Sequence, residues 1–119
     1  MTDHIVPVAV VNLTITDNAD WTLRMPQFTD ADGAAYDMSS DSFKMDVRDT
    51  PAAAAARLQL TTAGGDFDEA QADEGIIDVI IAKGDLAPGL YVYDLIRVSG
   101  GSDEYLCGGS LTVADGVTA

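Results

Sequence analysis

Leu86-Ala87-Pro88-Gly89-Leu90-Tyr91-Val92-Tyr93-Asp94-Leu95-Ile96-Arg97-Val98 is the stretch from which the rest of the chain can be read. A Pro-Gly pair breaks the backbone, and the residues after it are apolar on both faces of a two-residue period. Such a run suits a strand central to a sheet, or one whose outer face is covered by a partner. Ile76-Ile77-Asp78-Val79-Ile80-Ile81 has the same character. Elsewhere the alternation is cleaner. In Ser42–Arg48, Phe43, Met45 and Val47 face one way, and Lys44, Asp46 and Arg48 the other. Trp21, Leu23 and Met25 point inward from a segment that also carries Thr22 and Arg24, and Arg57-Leu58-Gln59-Leu60-Thr61 is a shorter example. β-Branched residues mark Val8 to Ile15 as the first strand. Tyr105 to Val113 reads as the last, and the Gly108-Gly109 pair at its centre predicts a bulge or a close backbone approach.

Turn chemistry separates these runs: Asp30-Ala31-Asp32-Gly33, Ala63-Gly64-Gly65-Asp66, and Ser99-Gly100-Gly101-Ser102-Asp103 as a hairpin closing the last two strands. Two short segments read as helical. Thr50-Pro51 opens a run of five alanines ending at Ala56, enough for one turn in a loop, and Ala82 to Leu86 suits a turn of 3₁₀ helix. A leucine, a Pro88-Gly89 turn and Tyr91 entering a strand resemble the tyrosine corner of immunoglobulin-like and fibronectin-like sandwiches. There the ring covers the core edge and the hydroxyl bonds a loop carbonyl. The expected fold is all-β, an Ig-like, Greek-key antiparallel β-sandwich of about seven to nine strands with at most one short helical turn.

The 119 residues suit one domain, 1–119, with 1–6 and 115–119 as extended or mobile tails. A hydrophobic content of 47% is too high for a disordered acidic tail. No apolar run approaches the ~20 residues of a membrane span, so no membrane partner is expected. The N-terminus lacks the basic region of a signal peptide, which predicts synthesis and folding in a cytoplasm. Six basic against twenty acidic residues give a net charge of −14. Such a surface repels phosphate backbones and argues against direct nucleic-acid binding. Either a saline habitat or a basic partner surface accounts for the excess.

No side chains assemble into catalytic machinery. Cys107, the single cysteine, cannot form an intrachain disulfide and reads as a small hydrophobe. His4, the single histidine, has no acid or nucleophile at a suggestive spacing and reads as solvated. Asp30 with Asp32, and the cluster Asp66, Asp68, Glu69, Asp73 and Glu74, are weighed as calcium ligands but read better as solvated acidic loops. The glycine pairs belong to hairpins rather than to a phosphate loop. No enzyme activity, cofactor or metal is expected. The residues singled out are structural: Trp21, Arg48, Pro88, Gly89, Tyr91 and Asp94. Asp94 interrupts an apolar strand, and a buried carboxylate needs a partner. Arg48 is the predicted one, in a pair across the sheet that fixes register.

The order of features supports one family resemblance. It runs from Trp21-Thr22-Leu23 and Phe28-Thr29-Asp30-Ala31-Asp32-Gly33 through Tyr36-Asp37-Met38-Ser39 and Phe43 to Arg48. It continues through Leu58-Gln59-Leu60-Thr61-Thr62 and Leu86 to Leu95, and ends at Gly109-Ser110-Leu111-Thr112-Val113 and Gly116-Val117-Thr118. This resembles small β-rich virion domains of tailed bacteriophages and prophages, similar to N-terminal modules of baseplate upper and fibre proteins. The resemblance implies an oligomeric structural part that attaches fibres or decorates the particle, with other virion proteins and copies of itself as partners.

Overall fold

The inward set of the Ser42–Arg48 strand, Phe43, Met45 and Val47, lies in the core with at most 2% of its surface exposed. A second apolar layer must cover such a face, and the chain supplies it as a second sheet. The computed structural model describes residues 5–6 and 10–116, apart from 52 and 54. Ten strands follow in chain order: β1 (Ile5–Val6), β2 (Leu13–Thr16), β3 (Trp21–Arg24), β4 (Thr29–Asp30), β5 (Ser42–Arg48), β6 (Leu58–Thr61), β7 (Phe67–Asp68), β8 (Asp78–Ile81), β9 (Gly89–Ser99) and β10 (Ser102–Ala114). One sheet has the order β2-β10-β9-β5-β6, the other β3-β8-β7, and β1 pairs with β4 outside both. The chain passes between the two sheets at β2 to β3, from β3 by way of β4 to β5, at β6 to β7 and at β8 to β9, the Greek-key wrapping of an Ig-like sandwich. β9 lies between β10 and β5, and β8 between β3 and β7, so the two segments read as apolar on both faces are the central strands.

The tyrosine corner is formed. The Tyr91 hydroxyl donates to the Ala87 carbonyl at 2.7 Å across the Pro88-Gly89 turn, and the ring is buried. Two residues on, where antibody domains carry the second cysteine of the inter-sheet disulfide, this chain has Tyr93. Its ring is buried and its hydroxyl donates a 2.5 Å hydrogen bond to the Val11 carbonyl. The closing hairpin pairs Ser99 with Ser102 around Gly100 and Gly101, whose φ angles of 57° and 84° are those a two-residue type I′ turn demands. Trp21 is half-buried, packs against the core and donates from Nε1 to Thr16 Oγ1 at 3.3 Å.

Several expectations are corrected. β2 pairs with β10 in parallel, Leu13 opposite Leu111, whereas every other ladder among the described residues is antiparallel. The chain leaves β2 for the opposite sheet instead of turning back beside it, so no hairpin fixes its direction. The first strand of this sheet begins at Leu13 rather than Val8; residues 7–9 lie outside the described set, and Asn12 spends its side-chain oxygen on the Ser110 amide at 3.0 Å. The bulge falls at Leu106, between the pairs Tyr105–Ile96 and Cys107–Leu95, and not at the glycines. The glycines answer to the close approach instead. A Cβ on Gly108 would lie 2.8 Å from the Tyr93 carbonyl oxygen, and one on Gly109 would strike the Val11 carbonyl oxygen of the chain entering β2.

The helical turn is also misplaced. The 3₁₀ segment is Ala72–Glu74, inside the acidic cluster. Ala82 to Asp85 closes a single 3.1 Å turn, and so does Thr50 to Ala53 within the alanine run, of which 52 and 54 are outside the described residues. Neither segment is long enough to repay helix nucleation.

Candidate functional site

The outer face of the five-stranded sheet is set by the registers of β5, β9 and β10. Four rows cross it: Arg48–Val92–Ser110, Asp46–Asp94–Gly108, Lys44–Ile96–Tyr105 and Ser42–Val98–Asp103. Lys44 reaches across β9 to bond Asp103 at 2.8 Å. Leu90, 69% exposed, extends the β9 row, and Tyr105, 44% exposed, flanks it. Between Asp46, Arg48, Pro51, Val92, Tyr93 and Asp94 lies a shallow cavity of about 170 Å³.

The predicted Arg48–Asp94 pair is not made. Both side chains belong to this face, but the register sets Asp46, not Arg48, opposite Asp94. Arg48 bonds Asp46 on its own strand at 3.0 Å and the Ala53 carbonyl at 2.8 Å. Nor is Asp94 buried. It has the opposite parity to Tyr91, Tyr93 and Leu95, which take the inward face, so it points to solvent. Partial desolvation and the facing Asp46 carboxylate push its pKa up, against the opposing pull of Arg48 and Lys44. A folded-state pKa above the unfolded one means that the ionised form opposes folding. That cost is present above the folded pKa and disappears as pH falls through it. Asp94→Asn is therefore expected to stabilise the domain at neutral pH by a few tenths of a kcal/mol. The gain should shrink as pH falls through the folded-state value and vanish below the ordinary aspartate value of about 3.9, as measured by denaturation midpoints at neutral pH and below that value.

The buried ion pairs lie elsewhere. Arg97, only 6% exposed, shares the inward parity of Tyr91. Its guanidinium bonds Asp41 at 2.6 Å and also Glu104, which sits opposite it on β10. The Tyr36 ring centroid lies 4.9 Å away. Burial works against the charge of Arg97, but the bonds to Asp41 and Tyr36 outweigh it and hold its pKa above the ordinary value. Its Nε is buried without a hydrogen-bond partner among the described residues. This cluster ties the loop before β5 to the β9–β10 hairpin. The sequence signal for it was the parity of Arg97 with Tyr91.

Three of the carboxylates weighed as calcium ligands serve the backbone. Asp30 accepts from the amides of Asp32 and Ala34, Asp66 from Thr61, and Asp68 from Ala70, all at 2.9–3.0 Å. Asp17, Asp20, Asp37 and Asp85 do the same for Gly116, Lys83, Ser39 and Ala82. Among the described residues, no three His, Cys, Asp or Glu side chains are disposed to hold a metal ion. The Cys107 thiol is fully buried, and burial pushes its pKa to about 11, so it is a core side chain with no thiolate character at neutral pH. His4 lies outside the described residues. Five of the six basic side chains are held in ion pairs with carboxylates.

No protein-family model matches the chain, and no curated protein matches it either.

Proposed function

We propose that this chain is a non-enzymatic structural protein of a tailed-phage virion, assembled in the host cytoplasm. It acts as a tail, baseplate or neck adaptor, a fibre anchor or a capsid-surface decoration. Its work is protein–protein assembly with other virion components and with copies of itself. The ordered resemblance to phage β-domains suggests the setting. The observation that carries assembly is the outward row Leu90, Val92, Ile96 and Val98 on the central strand β9, apolar but for Asp94 at its middle, on a chain otherwise crowded with charge. The engaged state of many polar groups supports a non-catalytic role, since Asp30, Asp37, Asp66, Asp68 and Asp85 bond the backbone of their own loops and five of the six cations sit in ion pairs.

A stand-alone Ig-like carbohydrate- or protein-binding module is the second reading. One observation favours it: the exposed Tyr105 ring stands on the same face as Asp94, an aromatic beside a carboxylate. Mass determination in solution, together with a glycan-binding screen, separates the two. A trimer, pentamer, hexamer or other defined oligomer supports assembly. A monomer with sugar affinity overturns it.

A further inference from the structure

We propose that a second copy of this chain covers the outer face of the five-stranded sheet, packing face to face through a twofold axis. This inference rests on the assembly reading and gives it a surface.

Charge is the first argument. Two copies each carrying −14 repel, so a stable contact must use the least negative surface available. The outer face of β5, β9 and β10 carries Lys44 and Arg48 against Asp46, Asp94 and Asp103. Two cations and three carboxylates leave a net of −1. Almost all of the chain's excess charge therefore lies off this face.

Chemistry and size agree. The outward residues of β9 are Leu90, Val92, Ile96 and Val98, interrupted by Asp94; Leu90 is 69% exposed, and Tyr105 of β10, 44% exposed, stands beside Ile96. At about 4.8 Å between strands and about 3.4 Å per residue, the 39 residues of β2, β10, β9, β5 and β6 span a plane of roughly 640 Å². Increased by side-chain relief, that is in the range of the ~800 Å² that each partner buries in a standard interface.

The twofold also answers a local mismatch. Asp94 makes no ion pair within its own chain among the described residues; it faces Asp46 on one side and Gly108 on the other. In an isologous contact residue i meets j and j meets i, so Arg48 of each copy can reach Asp94 of the other.

Sedimentation velocity over a wide concentration range tests this, with the full chain and three single variants. Leu90→Glu and Ile96→Glu place carboxylates on the face, and Thr22→Glu places one on the exposed outer side of β3. The wild type is expected to form a dimer, or an even-numbered assembly built from dimers, that tightens as salt screens the −14 charges. Both face variants should weaken self-association by about tenfold or more, and Thr22→Glu should leave it unchanged. Leu90 is too exposed for its replacement to disturb the core, and an unaltered denaturation midpoint for Leu90→Glu checks this. Three results overturn the inference: a wild type that stays monomeric throughout, an odd-numbered oligomer, or an oligomer whose mass ignores both face variants. The last two leave the assembly reading standing and move the interface elsewhere. A monomer that binds glycans removes both.

Discussion

Replacing Arg97 with alanine is expected to cost about 3–5 kcal/mol of folding stability, as measured by equilibrium chemical denaturation. The magnitude follows from what the substitution leaves behind. Asp41 has a side chain only 6% exposed, and its cation partner is Arg97, at 2.6 Å. Without the guanidinium, that carboxylate keeps its desolvation penalty and loses its compensation. Glu104, 36% exposed, can turn to water, so most of the loss belongs to Asp41. Arg97→Met combined with Asp41→Leu should recover much of the deficit, because an apolar pair of similar size leaves no orphaned charge. A loss below about 1 kcal/mol for Arg97→Ala would put the cluster in the class of surface ion pairs and refute this account.

Gly109→Ala is expected to destabilise by about 1–3 kcal/mol, with the damage concentrated at one edge of the larger sheet. The added methyl collides with the Val11 carbonyl oxygen and lies 2.8 Å from Asn12 Oδ1. The first of these is backbone and cannot rotate away, so the segment entering β2 must shift. That shift also strains the hydrogen bond from the Tyr93 hydroxyl to the same carbonyl, and the one from the Val11 amide to Gly108. Hydrogen exchange should accelerate across residues 11–17 well before it does in β5 or β9. Ser110→Ala, one residue along, alters a side chain on the outer face and should change stability little. Equal protection in the Gly109→Ala protein and the wild type would mean that β2 is not held by this contact.

The sandwich was legible wherever a local rule decides. Strict alternation placed Phe43, Met45 and Val47 in the core, the Gly100-Gly101 pair announced its hairpin, and Pro88-Gly89 ahead of Tyr91 located the corner and its hydroxyl bond. The misreadings had non-local causes. A strand apolar on both faces suggested that Asp94 was buried, yet parity with Tyr91 sends Asp94 outward and Arg97 inward. The partner of Arg97 is Asp41, 56 residues away, and no spacing rule couples the two. The parallel pairing of β2 likewise depends on where a strand near the other end of the chain lies. The aspartates had a legible signal that charge counting obscured. Seventeen Asp against three Glu is the composition of side chains short enough to cap their own turns, not of a generic acidic coat.

The parallel β2–β10 ladder also sets how the domain responds to force. Tension applied through the chain pulls β2 from its Leu13 end and β10 from its Ala114 end, and Leu13 pairs with Leu111 while Thr16 pairs with Ala114. The two strands are thus drawn past one another along their length. Their hydrogen bonds, flanked by Val11 to Gly108 at 2.8 Å and Asp17 to Ala114 at 3.1 Å, share the tension together. An antiparallel pair gripped at adjacent ends would open one bond at a time. The first and last strands of this sheet therefore form a shear joint, and its rupture has to come before the core behind it can be drawn out.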